Sequence, residues 1–227
     1  MKEGAARKSG LFSMQAKWIG NDAMLGFGPL GATPLGGMFH ASSRIQTGTQ
    51  TVRLSVSGII IPHKHVEDGI LLKSTSVVWT EIAQKLGADW TVAYQLSPEN
   101  WEEIIAGAFS KSGYDVILTP RSGDHGRDVI ATKSGVGCVK INGSVKAYRP
   151  GNLVPCDDVR ALLGVMSGER DVSKGIITTT SDFPPNIEKD PYIAPFLPTR
   201  LELMNSVRLQ NWLAEISKQT TVKVKRL

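Results

Sequence analysis

The spacing of apolar residues changes several times along this chain, and each change marks an element. From Gln50 the run TVRLSVSGIII alternates and then becomes wholly apolar, which predicts a strand closed by Pro62. Val77, Val78, Ile82 and Leu86 recur at helical spacing, with Gly87 as a stop. Ser97 followed by Pro98 has the form of a helix N-cap and first residue, and Gly113 suits the left-handed stop of that helix. Between them Trp101, Ile104, Ile105, Ala108 and Phe109 form one apolar stripe, the pattern of a helix packed on a sheet. At about 100° per residue Glu102 flanks that stripe and Glu103 points nearly opposite, so Glu102 is the carboxylate able to reach over the sheet edge.

The segment GYDVILTPRSGDHGRDVIATKSGVGCVKINGSVKAY then reads as strand, polar glycine-rich loop, strand, tight turn and strand. Val159, Leu162, Leu163 and Met166 mark an amphipathic helix from Val154 to about Met166, and GIITTT a further strand. SDFPPNIEKDP reads as an irregular loop or short helix, Leu201 to Leu203 as a short strand, and Leu209 to Ile216 as a last helix. Helices alternating with strands predict an α/β fold, a three-layer sandwich around a mixed sheet. Residues 1–45 are glycine-rich without useful periodicity and are expected to be weakly ordered. Residues 46–96 are read as a small accessory unit, 97–217 as the main domain and 218–227 as a basic tail containing Lys223, Lys225 and Arg226.

Composition narrows the functional classes. A chain of 227 residues with 41% apolar content buries a real core without a disulfide scaffold. Cys138 and Cys156 are too far apart for a CxxC site and read as reduced thiols. The net charge of +5 tilts the odds toward a polyanionic partner. No apolar run is long enough to span a bilayer, and MKEGAARKSGLF lacks the core and cleavage site of a secretory signal, which points to a cytoplasmic protein. There is no GxxxxGK[ST] motif, so ATP hydrolysis is not expected.

Asp128 at the start of one strand and Lys146 on the next are spaced to converge on a single phosphate. Hydrolysing a phosphodiester needs a divalent metal, an activated water and a cation for the charge that builds up. Hard oxygen ligands suit the metal, usually Mg²⁺, and a lysine suits the phosphate. Asp128, Glu102 and Lys146 supply this minimum set. Singly, each has a plainer reading: a loop cap, a surface carboxylate, a solvated strand lysine.

The residues around that set carry a resemblance. The blocks WEEIIAGAFSKSGYDVILTPRSGDHGRDVIA, SVKAYRPGNLVPCDDVRALLGVM, KGIITTTSDFPPNIEKDP and LELMNSVRLQNWLAEI resemble, in order, the Mrr-type restriction endonuclease catalytic domain of the PD-(D/E)XK nuclease superfamily, over roughly residues 97–217. By that resemblance Trp101-Glu102 matches the helix glutamate, Gly126-Arg127-Asp128 the metal-binding aspartate, and Lys146 the signature lysine. It implies that Asp128 binds Mg²⁺ directly and that Glu102 binds it directly or through water. Lys146 would orient the attacking water and stabilise the transition state, leaving 5′-phosphate and 3′-hydroxyl ends. Where the family has Gln or Glu two residues before the lysine, this chain has Ser144, a shorter and weaker metal ligand. The site is then looser, takes a water, uses Asn142 on the same strand face, or is inactive; Lys140 faces that side too.

The expected target is double-stranded DNA, methylated DNA included, cut by a homodimer because two strands need two active sites. Arg121, Ser122 and Arg127 in the loop, and Thr180 and Ser181 after the later strand, are read as DNA contacts. Core-strand threonines are an equal alternative for Thr178 to Ser181. Asp124 reads as a turn former, His125 as a solvated loop residue, and His63-Lys64-His65 with Glu67 and Asp68 as a solvated turn. Against the endonuclease reading stand a DNA-binding protein weakened in catalysis through Ser144, a repair or junction nuclease with the same core, and an α/β interaction module without a nucleic-acid role.

Overall fold

The structure, a computed structural model, describes residues 56–120 and 126–224, and of residues 220–224 only the backbone. Expectations for residues 1–55, for Arg121, Ser122, Asp124 and His125, and for Lys225 and Arg226 lie outside the described residues, as does the side chain of Lys223. Seven strands occur in chain order, β1 (Ile60–Val66), β2 (Gly69–Thr75), β3 (Asp115–Leu118), β4 (Val129–Lys133), β5 (Val139–Lys146), β6 (Lys174–Thr179) and β7 (Leu201–Met204). The helices are α1 (Val77–Ala88), α2 (Pro98–Lys111), α3 (Cys156–Gly168) and α4 (Ser206–Val224), with 3-10 turns at Trp90–Tyr94, Ile187–Lys189 and Ala194–Phe196.

All seven strands form one sheet in sequence order, antiparallel from β1 to β5 and parallel from β5 to β7. The connections differ accordingly. Turns or loops join β1 to β2, β3 to β4 and β4 to β5, and α1 and α2 lie between β2 and β3, whereas α3 crosses between β5 and β6 and lets them run parallel. Helices α1, α2 and α4 pack in one core with Trp79, Trp101, Ile104, Leu213 and the inner faces of β3 to β6. Helix α3 covers the opposite face through Val159, Leu162 and Met166 over Ile177 and Leu201. The result is the expected three-layer α/β sandwich around a mixed sheet.

The capping pattern holds for α2. Ser97 Oγ accepts from the Asn100 amide at 3.3 Å, Pro98 opens the helix, and Gly113 sits at φ +86°. Residue 107 must be glycine, because a Cβ there would lie 2.3 Å from Trp79 Nε1, where α1 crosses α2. Helix α4 begins before its expected start and runs to Val224, through the opening of the basic tail.

The first strand differs from the expectation. It begins at Ile60 and continues through Pro62, with register shifts on both sides of the proline, because an edge strand tolerates the missing donor at a bulge. His63, Lys64 and His65 are exposed residues of that strand; the turn is Glu67-Asp68. Strand β2, unforeseen, follows it and pairs with β3. Gly69 makes this possible, since a Cβ there would meet Leu118 O at 2.2 Å. The residues expected to form an accessory unit thus place β1, β2 and α1 on the sheet and core shared with residues 97–217.

Candidate active site

Asp128 immediately precedes β4, and its backbone is tied at both ends. Its amide donates to Gly143 O at 2.8 Å, and its carbonyl accepts from the Thr119 amide at 3.1 Å. Because Val129 pairs with Gly143, Asp128 falls opposite Ser144 across β5. Alternation sends Ile141, Val145 and Ala147 into the α2 core and leaves Asn142, Ser144, Lys146 and Tyr148 on the α3 face. The Asp128 carboxylate is held there by the Val145 amide, which donates to Oδ2 at 2.6 Å, and by the buried Ser144 hydroxyl at 3.4 Å from the same oxygen. A charge-assisted bond of that length fixes the carboxylate under β5.

Lys146, on the same strand face, meets a partner absent from the sequence reading. Its Nζ lies 3.5 Å from Asp158 Oδ2, and the Tyr148 hydroxyl donates to that oxygen at 3.1 Å. Asp158 sits in the first turn of α3, where the helix dipole favours an anion. Burial, then the Asp158 charge, push the Tyr148 phenol above its ordinary range. The signal for Asp158 was the Asp157-Asp158 pair opening a helix directly after the signature strand.

Strand β6 pins this segment from the other side. The Thr178, Thr179 and Thr180 hydroxyls donate to the carbonyls of Ser144 at 3.4 Å, Lys146 at 2.9 Å and Tyr148 at 2.6 Å. Thr180 and Ser181 are 3% and 5% exposed. Tertiary burial thus turns Thr180 and Ser181, read from the sequence as DNA contacts or as core-strand residues, toward the β5 segment.

Helix α2 lies across the opposite face, antiparallel to β5. Phe109 Cε2 lies 3.8 Å from where a Cβ of Gly143 would sit, while Pro98 lines a small cleft with Ala147, Tyr148 and Arg149. At about 1.5 Å per helical residue and about 3.3 Å per strand residue, Glu102 falls level with Val145 to Ala147. Glu103 does not point to solvent as the single-stripe reading expects. A second side of α2 is covered by Trp79, whose Nε1 donates to Ile104 O at 2.9 Å, and by the Val56 backbone, which is bonded to the Asn100 side chain. Glu103 Oε2 is buried without a hydrogen-bond partner among the described residues, and burial raises its carboxyl above the usual range.

Arg127, read from the sequence as a DNA contact, is engaged within the protein. Its side chain is 13% exposed and ion-paired with Asp68 and Glu169. Asn142 is fully buried with Nδ2 donating to Glu169 Oε2 at 3.2 Å, so its amide is turned into the Arg127 ion cluster rather than offered as a replacement for the family's glutamine. Lys140 is paired with Asp171 and Glu169 in that cluster. A groove of about 580 Å³ lined by Phe109, Tyr114, Ile141, Met204 and Trp212 opens elsewhere on the α2 face, and none of Glu102, Asp128 or Lys146 lines it.

The Asp128 carboxylate and the Ser144 hydroxyl are hard oxygens, as is the Glu102 carboxylate on the α2 side of the sheet, and such donors suit a hard divalent cation such as Mg²⁺ better than a thiophilic metal. Among the described residues no group of three or more His, Cys, Asp or Glu side chains is preassembled for a metal. A family model described as restriction endonuclease, of the Mrr catalytic type, matches residues 93–213, more than half of the chain. This chain belongs to the Mrr-type restriction endonuclease family. Two solved structures are similar to the Mrr-type chain. One is the MspJI restriction endonuclease in complex with a 27-mer oligonucleotide, at 17% identity and TM-score 0.39 over 62% of this chain and 31% of that one. The other is the DNA modification-dependent restriction endonuclease AspBHI, at 15% identity and TM-score 0.41 over 67% and 40%. The Mrr-type chain therefore spans less than half the length of either structure. No curated protein matches the sequence. Among the described residues no helix is long and apolar enough to cross a membrane.

Proposed function

We propose that this chain is a Mg²⁺-dependent endodeoxyribonuclease of restriction type, acting on double-stranded DNA as a homodimer. The observation that carries the reading is the placement of Asp128 against the Val145 amide and the Ser144 hydroxyl, on the sheet face that also bears Lys146, in a chain of the Mrr-type family. Asp128 and Glu102 would hold the metal. Bound there, a divalent cation would neutralise the scissile phosphate and acidify a water.

The chain's own residues supply the rest. The Val145 amide fixes one Asp128 oxygen and so orients the carboxylate. Lys146, restrained by Asp158, presents its ammonium to the phosphate and stabilises the charge that builds on the phosphoryl oxygens. The lysine also orients the attacking water. The water oxygen bonds to phosphorus as the P–O3′ bond breaks, leaving a 5′-phosphate and a 3′-hydroxyl. Arg149, exposed at the end of the signature strand, is a phosphate contact in place of Thr180 and Ser181.

Incubating the protein with methylated and unmethylated plasmid, with Mg²⁺ or EDTA, beside Asp128→Ala and Lys146→Ala, tests this. Nicking or linearisation that needs Mg²⁺ and disappears in both variants is the expected result. Intact plasmid bound by wild-type protein would select the second reading, a DNA-binding protein weakened in catalysis, which the short buried Ser144 side chain favours.

A further inference from the structure

Arg127 stands immediately before Asp128, and its surroundings are costly to build. A guanidinium that is 13% exposed loses much of its hydration and is tolerated only when its charge is answered. Here two carboxylates from distant parts of the chain answer it. Nη1 donates to Glu169 Oε1 at the end of α3, and Nη2 donates to Asp68 Oδ1 in the β1–β2 turn at 3.1 Å. The second Glu169 oxygen accepts from Asn142 Nδ2 and lies 3.7 Å from Lys140 Nζ. The Arg127 carbonyl accepts the Thr119 hydroxyl at 2.5 Å, so backbone and side chain are both fixed.

The cluster is not tuned for stability alone. Arg127 Nε and Asn142 Oδ1 are buried without hydrogen-bond partners among the described residues, and apolar replacement of such a network is often neutral or stabilising. What the cluster does achieve is geometric. The guanidinium fork ties the entry of β4 to the hairpin turn and to the end of α3, one residue before the carboxylate that must sit under β5.

We propose that Arg127 is a positioning residue for Asp128: the clamp on Asp68 and Glu169 sets the β4 entry so that the Asp128 carboxylate stays against the Val145 amide. The inference rests on the reading of Asp128 as a metal-holding carboxylate, but its geometric half has a readout independent of metal and of activity. The Val145 amide proton, bonded to Oδ2 at 2.6 Å, resonates far downfield when that bond is intact, and Asp128→Ala sets the upfield end point.

Two variants of the full chain separate position from folding. Arg127→Met with Asp68→Asn and Glu169→Gln removes the fork without leaving two carboxylates facing each other; Arg127→Lys keeps the charge but not the fork. Both are expected to retain native circular dichroism and to move the Val145 amide resonance upfield, toward the Asp128→Ala value. Mn²⁺ affinity, read by electron paramagnetic resonance, is expected to fall about tenfold or more. A Val145 resonance unmoved in a folded variant overturns the clamp, and so does unchanged Mn²⁺ affinity in both. If the triple variant does not fold, Arg127→Lys decides by the same two readings. Wild-type protein that binds no Mn²⁺ overturns the nuclease reading instead, so the two failures are distinguishable.

Discussion

The carboxylate of Asp158 holds the ammonium of Lys146 from the first turn of α3, with 3.5 Å between Oδ2 and Nζ. Both side chains are roughly one-third exposed or less, so the pair restrains Lys146 without sealing it from a phosphate. Asp158→Asn should therefore bind DNA severalfold more tightly in metal-free, low-salt buffer, because Lys146 loses its counter-ion. Single-turnover cleavage should slow, because the ammonium loses its anchor. Fluorescence anisotropy and quenched-flow cleavage read the two effects, and an unchanged affinity would speak against the pairing.

Glu103 gives a stability prediction with a definite sign. Its folded-state pKa is raised by burial, so its favourable contribution is present below the ordinary glutamate pKa and is lost as pH rises through the folded value. At neutral pH the ionised carboxylate is a cost. Glu103→Gln should raise the melting temperature at pH 7, with the gain shrinking toward pH 4. A gain that is equal at both pH values would contradict the burial argument.

Ser144 separates a short ligand from an absent one. Its hydroxyl reaches Asp128 only at 3.4 Å, a weak bond, so Ser144→Ala should change Mn²⁺ affinity by no more than about threefold. Ser144→Gln, which restores the family's amide oxygen, should tighten Mn²⁺ binding, as calorimetry would show, provided that the buried position opens to admit the longer side chain.

Thr179 tests the support under the signature strand. Its hydroxyl donates to Lys146 O at 2.9 Å and accepts from the Ser181 amide at 3.1 Å, at 1% exposure. Thr179→Val keeps the shape and strands a buried amide, which should cost about 1–3 kcal/mol in urea unfolding.

Helix α2 was legible because capping, periodicity and the glycine stop are local signals that agree, and the alternation of β3 to β5 placed Asp128 and Lys146 on neighbouring strands. The β1–β2 hairpin was missed although Asp68-Gly69 is a hairpin signal, since Pro62 argued for an earlier end. The burial of Glu103, Arg127 and Thr180 was not legible, for one reason. A helical wheel or a charge describes a side chain's direction or type, while burial depends on what α1, α3 and the β1–β2 turn bring from elsewhere in the chain. Asp158 belongs to the same class, visible as a helix-opening carboxylate but not as the partner of Lys146.

The bulge at Pro62 reaches beyond the chain's own hairpin. Strand β1 borders the described sheet, and a neighbouring molecule trying to extend the sheet there would find a donor missing at the proline, a ladder offset on both sides of it, and solvated His63, Lys64 and His65 along the rim. Edge-to-edge growth of the sheet into fibres is thus discouraged at this border.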